Sequence, residues 1–477
     1  MAETRHFGIG EAVILLAILA AAAGARAWYL VACADGGNTS GPLRVQDPRP
    51  PLPLPPDTEL RGRTAPNELD ALVHNLKEHA VFASLAPFAA AEERTAHTAP
   101  GYPWLISLLE RLPINLGPAD RAVRWAQCGL GSLTAGLYGL FAWAAFRSRL
   151  VTALAGFLGA LHPFGIVSTA EIDDGVLAAF LLAAALFLGA SAGQWGGAAT
   201  ALLYGLTLAG VALVRAALLP FAFVALLWFL LRCRRLRGGW LGALVAFLGF
   251  LIGTVPWTLR NHQAFGDFLP IVSSTYLHLW MGYNPDATGG PQSEQAMLHA
   301  LAKARSEDVQ TIAEELARID NQKERYARLS RDVLEEVRNR PADALRRRLR
   351  AGLCFLLGER WLKHGELAER GPAAEAELPS WLAASYEAIL QGALLGMLLL
   401  GALGWRWTYA WRFEAAPAAL AAVWVPLPYL LSHAAALSGP RLPFDGVLLI
   451  YAAFALACLV PGVGGRLRRG AMIESKD

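Results

Sequence analysis

The feature that most limits how this chain can fold is a recurrence of apolar runs, each near the roughly 17–25 residues a helix needs to cross a bilayer. Short polar hinges separate them. One run covers Ala12 to Cys33, six follow at approximately 121–146, 150–167, 174–192, 196–213, 216–232 and 239–258, and three more lie at 383–404, 416–436 and 444–462. Of 477 residues, 55% are hydrophobic and 17% charged, too little charge for a water-soluble domain of this size. The expected fold class is an all-α membrane protein with about ten transmembrane helices. Its membrane body spans residues 1–463, and a short tail covers 464–477.

The hinges set an orientation. Arg147 and Arg149, then Arg232, Arg234, Arg235 and Arg237, then Arg406 and Arg412, then Arg466, Arg468 and Arg469 all fall on one side if the helices alternate. Cytoplasmic connections carry such excess positive charge. The N- and C-termini are therefore expected in the cytoplasm of a multi-pass protein of the inner (plasma) membrane. The first run fits either a retained helix or a cleaved signal peptide, since Ala25-Arg26-Ala27 resembles a cleavage site. The remaining topology is the same in both cases.

Two long hydrophilic loops then face the periplasm or its equivalent. The first, 35–118, opens with the proline-rich stretch beginning at Asp47, which favours extended backbone. Leu69, Leu72, Val73 and Leu76 recur at helical spacing behind a candidate Asn67 cap, predicting an amphipathic helix over Asn67 to His79. The second loop, 260–380, reads as helices, with Val309, Ile312, Leu316 and Ile319 on one face. After Pro341, Arg346, Arg347, Arg348 and Arg350 precede an apolar segment, a pattern suited to a helix lying among lipid headgroups.

Ionisable residues at membrane boundaries are costly and mark cavities, partners or substrate paths. Four arginines converge on the outer side: Arg26, Arg215, Arg260 and Arg441. Guanidinium groups bind phosphates bidentately, so these are candidates for a lipid-phosphate leaving group, with snorkelling to headgroups as the plainer alternative. Acids gather at the same face: Asp35, Glu68, Asp70, and in a later turn Asp173 and Asp174. A carboxylate there can take the proton of an acceptor, and a second can hold a metal or a sugar hydroxyl. Glu68 and Asp70 are two apart on a helix and cannot aim at one atom. His97, in a turn fixed by Pro100, Gly101 and Pro103, is a further acceptor or metal candidate.

Other chemistries lack support. The net charge of +3 is too small for nucleic acid. Five scattered cysteines imply neither a disulfide framework nor a zinc site. There is no phosphate-cradling glycine loop, HExxH or GxSxG.

Four stretches carry a family resemblance: the acidic helix Asn67 to Leu76, the turn Thr95 to Trp104, the segment Pro256-Trp-Thr-Leu-Arg-Asn261 running on to Pro285, and Arg441-Leu-Pro443. The chain resembles the polytopic glycosyltransferases of the C-type (GT-C) fold, the group of the protein mannosyltransferases and lipid A aminoarabinose transferases. The resemblance implies transfer of a sugar from a polyprenyl-phosphate donor to an outer-face lipid, protein or glycan acceptor. It also implies a first-loop carboxylate as base, with no cofactor beyond a divalent metal in some members. Where that family carries an aspartate followed by a tyrosine, this chain has Asn67, Glu68 and Asp70, so Glu68, Asp70 and Asp35 all stay candidates. A lipid or sugar transporter and a non-catalytic scaffold are the alternatives, although no internal repeat supports the transporter.

Overall fold

The structure, a computed structural model, describes residues 8–31, 68–111, 119–191, 197–235, 239–287, 289, 292, 294–357, 380–433 and 441–469. Asp35, Asn67 and the proline-rich stretch lie outside them. The chain is an all-α membrane protein, with one two-residue antiparallel strand pair among the described residues.

Helix α1 (Ile9–Tyr29) is followed by the first-loop elements α2 (Glu68–His79), β1 (Ala83–Ser84), β2 (Glu93–Arg94) and α3 (Gly101–Arg111). The bundle continues with α4 (Ala119–Phe146), α5 (Arg149–Ala160), α6 (Pro163–Val167), α7 (Gly175–Ser191), α8 (Ala198–Val214), α9 (Leu219–Arg235) and α10 (Gly239–Phe265). The second loop folds as α11 (Thr275–Tyr283), α12 (Glu294–Arg305), α13 (Val309–Ala317), α14 (Gln322–Asn339) and α15 (Pro341–Leu357). Helices α16 (Ser380–Trp407), α17 (Ala416–Trp424), α18 (Leu427–Leu431), α19 (Leu442–Leu459) and α20 (Gly464–Arg469) complete the chain.

Each expected span has a helical counterpart, but lengths differ. Among the described residues, five stretches are long and apolar enough to cross a membrane: Ile9–Tyr29, Arg121–Phe146, Ala216–Arg234, Trp240–Phe265 and Leu442–Leu459. Others are shorter. The run at 150–167 divides into α5 and α6 at His162-Pro163, where His162 Nδ1 accepts from the Gly165 amide at 3.2 Å and caps α6. The run at 416–436 breaks between α17 and α18, beside Pro426 and Pro428, as proline's missing donor and ring clash dictate. In contrast, α10 continues through Pro256 to Phe265, past the expected end at 258.

The core of the bundle is lined by α4, α5, α7, α8, α9, α16, α17 and α19. Small residues let backbones approach closely, as is common between membrane helices. At Gly205 an added Cβ would lie 1.8 Å from the Ala246 carbonyl of α10, and at Gly404 1.8 Å from the Tyr451 carbonyl of α19.

The basic hinges collect at one end of the bundle. Arg149 binds Glu11 at 2.6 Å, Trp411 donates to Leu467 O at 2.9 Å, and Trp228 donates to Phe413 O at 3.2 Å. The two loops occupy the opposite end. There the second loop builds its own core from Leu277, Trp280, Leu301, Ile312, Leu316, Tyr326 and Leu329. The arginine run in α15 only partly faces outward. Arg347 binds Glu336 at 2.7 Å, and Arg348 donates to the carbonyls of Gly282 and Ser432 while lying over the Tyr283 ring. Arg346 and Arg350 stay exposed beside Leu345 and Leu349.

Candidate active site

Helix α2 presents its apolar face inward, burying Ala71, Leu72 and Val73. That packing turns Glu68 into the loop interior, while Asp70 is exposed on another face, as the spacing predicts. Glu68 Oε1 accepts from the Thr98 hydroxyl at 2.8 Å, and Oε2 lies 3.6 Å from His97 Nε2. Burial raises the Glu68 carboxyl to about 7, against the smaller opposing effect of the Thr98 hydrogen bond. Burial also lowers His97 to about 4.

The turn carrying His97 is held by the second loop. Gln322 accepts from the Ala96 amide and the Ser273 hydroxyl, both at 2.9 Å, and donates to Thr95 Oγ1 at 2.9 Å. Ser274 donates to His97 O at 2.8 Å. The Tyr326 hydroxyl meets His97 Nδ1 at 3.2 Å. Burial holds that phenol well above its usual range, so it stays protonated beside His97. His97 also stacks on His278, whose Nδ1 lies 3.0 Å from His433 Nε2.

The other acidic turn lies beside this loop. Leu69 of α2 and Ile172 of the 171–174 turn pack into one cluster with Val73, Leu177 and Val214. Gly101 meets the chain next to Arg215, where an added Cβ would fall 2.7 Å from Val214 Cγ2. Tyr102 donates to Gln127 at 2.8 Å, and Gln127 in turn donates to Glu171 O at 2.6 Å. Asp173 caps α7 by accepting from the Gly175 amide at 2.7 Å. Burial, together with neighbouring Asp174 and Glu171, raises it to about 7. Asp174 grips Arg215 bidentately through Nε at 3.1 Å and through a terminal nitrogen, and Arg215 also donates to the Tyr429 hydroxyl at 3.1 Å.

The four arginines expected on the outer side occupy three environments. Arg215 joins the acidic turn. Arg260 staples the loops: it donates to Thr95 O and Phe82 O, each at 2.7 Å, and lies over the Trp257 ring. Its neighbours do the same for the second loop, with Trp257 and Asn261 donating to Ile271 O at 2.8 and 2.9 Å. The segment 256–261 is thus a side-chain clamp built on the end of α10. Arg26 and Arg441 are buried, 3% and 1% exposed. Arg441 binds Asp445 at 2.7 Å and donates to Phe355 O and Leu356 O, while Arg26 donates to Ala22, Ala160 and Gly159 carbonyls.

Thr98, Tyr326, Tyr429 and Asp445 were missed in the sequence. Asp445 carried a usable signal, an acid four residues after Arg441 at the start of an apolar helix. Tyr326 stands on the buried face of an otherwise charged helix, and only tertiary docking reveals its partner. Among the described residues no three His, Cys, Asp or Glu side chains are grouped to hold a divalent metal, and Asp174 has both oxygens on Arg215.

No family model matches the chain, and no curated protein does. A solved structure does. The crystal structure of the Archaeoglobus fulgidus oligosaccharyltransferase, tethered with an acceptor peptide containing the NVT sequon, aligns over 95% of this chain. Identity is 16%, the TM-score is 0.46, and the alignment covers 51% of that chain. This chain therefore spans about half the length of that structure.

Proposed function

We propose that the protein is a membrane glycosyltransferase that moves a sugar from a polyprenyl-phosphate donor to a lipid, protein or glycan acceptor outside the cytoplasm. The observation that carries the reading is Glu68. It is a carboxyl buried to a titration point near neutrality, held by Thr98 and His97, at the bundle end opposite the basic hinges. A base of that strength is matched to deprotonating an acceptor near pH 7. The resemblance read in the sequence supports the same chemistry. In this reading the basic end is cytoplasmic and the chain lies in the inner membrane, with both loops periplasmic.

Glu68 takes the proton of the acceptor hydroxyl or amine as that atom bonds the anomeric carbon. The lipid phosphate departs from the opposite face, with inversion. Arg215 receives the departing phosphate. Its fork holds the Asp174 carboxylate in the bidentate geometry that also suits phosphate, so phosphate exchanges for carboxylate there. Asp173, half protonated near pH 7, limits the negative charge beside the incoming donor. Arg260 acts at one remove, fixing the turn that carries His97 and Thr98.

The test is transfer in membranes from a panel of radiolabelled polyprenyl-phosphate sugars, comparing the native chain with Glu68→Gln. Label reaching an outer-face acceptor, and lost in the variant, supports the enzyme and its base. No transfer from any donor by folded protein refutes the reading and favours a transporter or scaffold.

A further inference from the structure

The buried cluster around Arg26 lines a partly open cavity of about 20 Å3 that the proposed transfer leaves unused. Arg26, Tyr138 and His162 line it. Glycines make the room for these polar ends. A Cβ at Gly131 would stand 2.7 Å from Arg26 Nε, at Gly165 3.3 Å from His162 Nδ1, and at Gly446 1.9 Å from the Tyr138 oxygen.

The charges do not balance. Arg26 donates only to the carbonyls of Ala22, Ala160 and Gly159, and its Nε, also buried, has no partner. The acid of the cluster, Asp445, pairs with Arg441 through Oδ1 at 2.7 Å, while its buried Oδ2 has no hydrogen-bond partner and faces His162 at 3.7 Å. His162 cannot offset the excess, since its Nδ1 accepts from Gly165 and its Nε2 faces Asp445 at 3.7 Å. A buried cation without a counter-charge is unfavourable, more so at membrane depth.

We propose that this cavity binds one small monovalent anion of chloride size, held by Arg26 Nε–H and the Tyr138 hydroxyl. The anion neutralises Arg26, whose hydrogen bonds to Gly159 and Ala160 join α1 to α5. A neutral water would leave Arg26 uncompensated.

The experiment uses the full chain in lipid nanodiscs and does not depend on transferase activity. Equilibrium binding of radioactive chloride is measured beside thermal unfolding in chloride, bromide and gluconate at equal ionic strength. Expected are saturable chloride binding displaced by bromide but not gluconate, and a Tm higher in either halide. Tyr138→Phe, which keeps the ring, weakens binding several-fold, and Arg26→Gln abolishes it. No bound chloride and one Tm in all three salts would mean water alone fills the cavity and would overturn the proposal. Binding unchanged in the Tyr138→Phe protein overturns the placement even if Arg26→Gln does not fold.

Discussion

Two carboxylate–histidine pairs lie towards the loop end of the molecule, with nearly equal spacing and different surroundings. Glu68 and His97 stand 3.6 Å apart in the loops, and Asp445 and His162 stand 3.7 Å apart inside the bundle. Glu68 has a neutral hydroxyl as its hydrogen-bond partner and a side chain 27% exposed. Asp445 has an arginine, and its side chain is fully buried. A carboxyl facing a hydroxyl in a partly dry site stays free to gain and lose a proton. One bound to a guanidinium serves as a counter-ion. The residue types are alike, and the neighbouring cation decides between chemistry and architecture.

Substitutions should separate the two pairs. Glu68→Gln is expected to reduce transfer by roughly 10²–10⁴-fold, the usual range for general-base catalysis, with the chain still folded by circular dichroism. Retained transfer would erase the distinction. Asp445→Asn leaves Arg441 buried without its charge partner and should cost about 3–5 kcal/mol of stability, read as a lowered Tm.

Proton linkage gives a finer test. If Glu68 is the base, the transfer rate climbs about tenfold per pH unit below 7 and levels off above it. Transfer independent of pH between 5 and 8 would argue against it. Stability follows the opposite course at this site. The Glu68 carboxyl is raised from 4.5 to about 7 in the folded protein, so its stabilising effect is complete below 4.5 and lost as pH rises through 7. Glu68→Gln should therefore raise Tm at pH 8 relative to the native chain and change it little at pH 4. The smallest effect is expected from Asp70→Asn, on the exposed face of α2: transfer within about twofold of native, since surface substitutions away from a site are usually mild.

Much of the molecule was legible in the linear pattern. The apolar runs locate the helices because a bilayer leaves helical backbone bonding as the available solution for each crossing. The arginine hinges group at one end, and the period of α2 correctly separates Glu68 from Asp70. Helix interruptions at 162–163 and 425–428 were less legible, since hydropathy reports composition and not continuity. The four outer arginines show the same limit most clearly. Sequence assigned them a common side, where tertiary packing gave them four separate sets of partners.

The sequence by itself therefore determined the solvent, the helix class and the end of the bundle at which charged groups collect, because these follow from residue-by-residue transfer costs. Only the tertiary structure decided which acid faces a neutral hydroxyl and which faces a guanidinium. That choice depends on residues far apart in the chain, Glu68 with His97 and Tyr326, Asp445 with Arg441 and His162, and on the burial their docking creates. Burial and a nearby cation set the strength of a carboxyl as a base, and neither is a property of the local sequence.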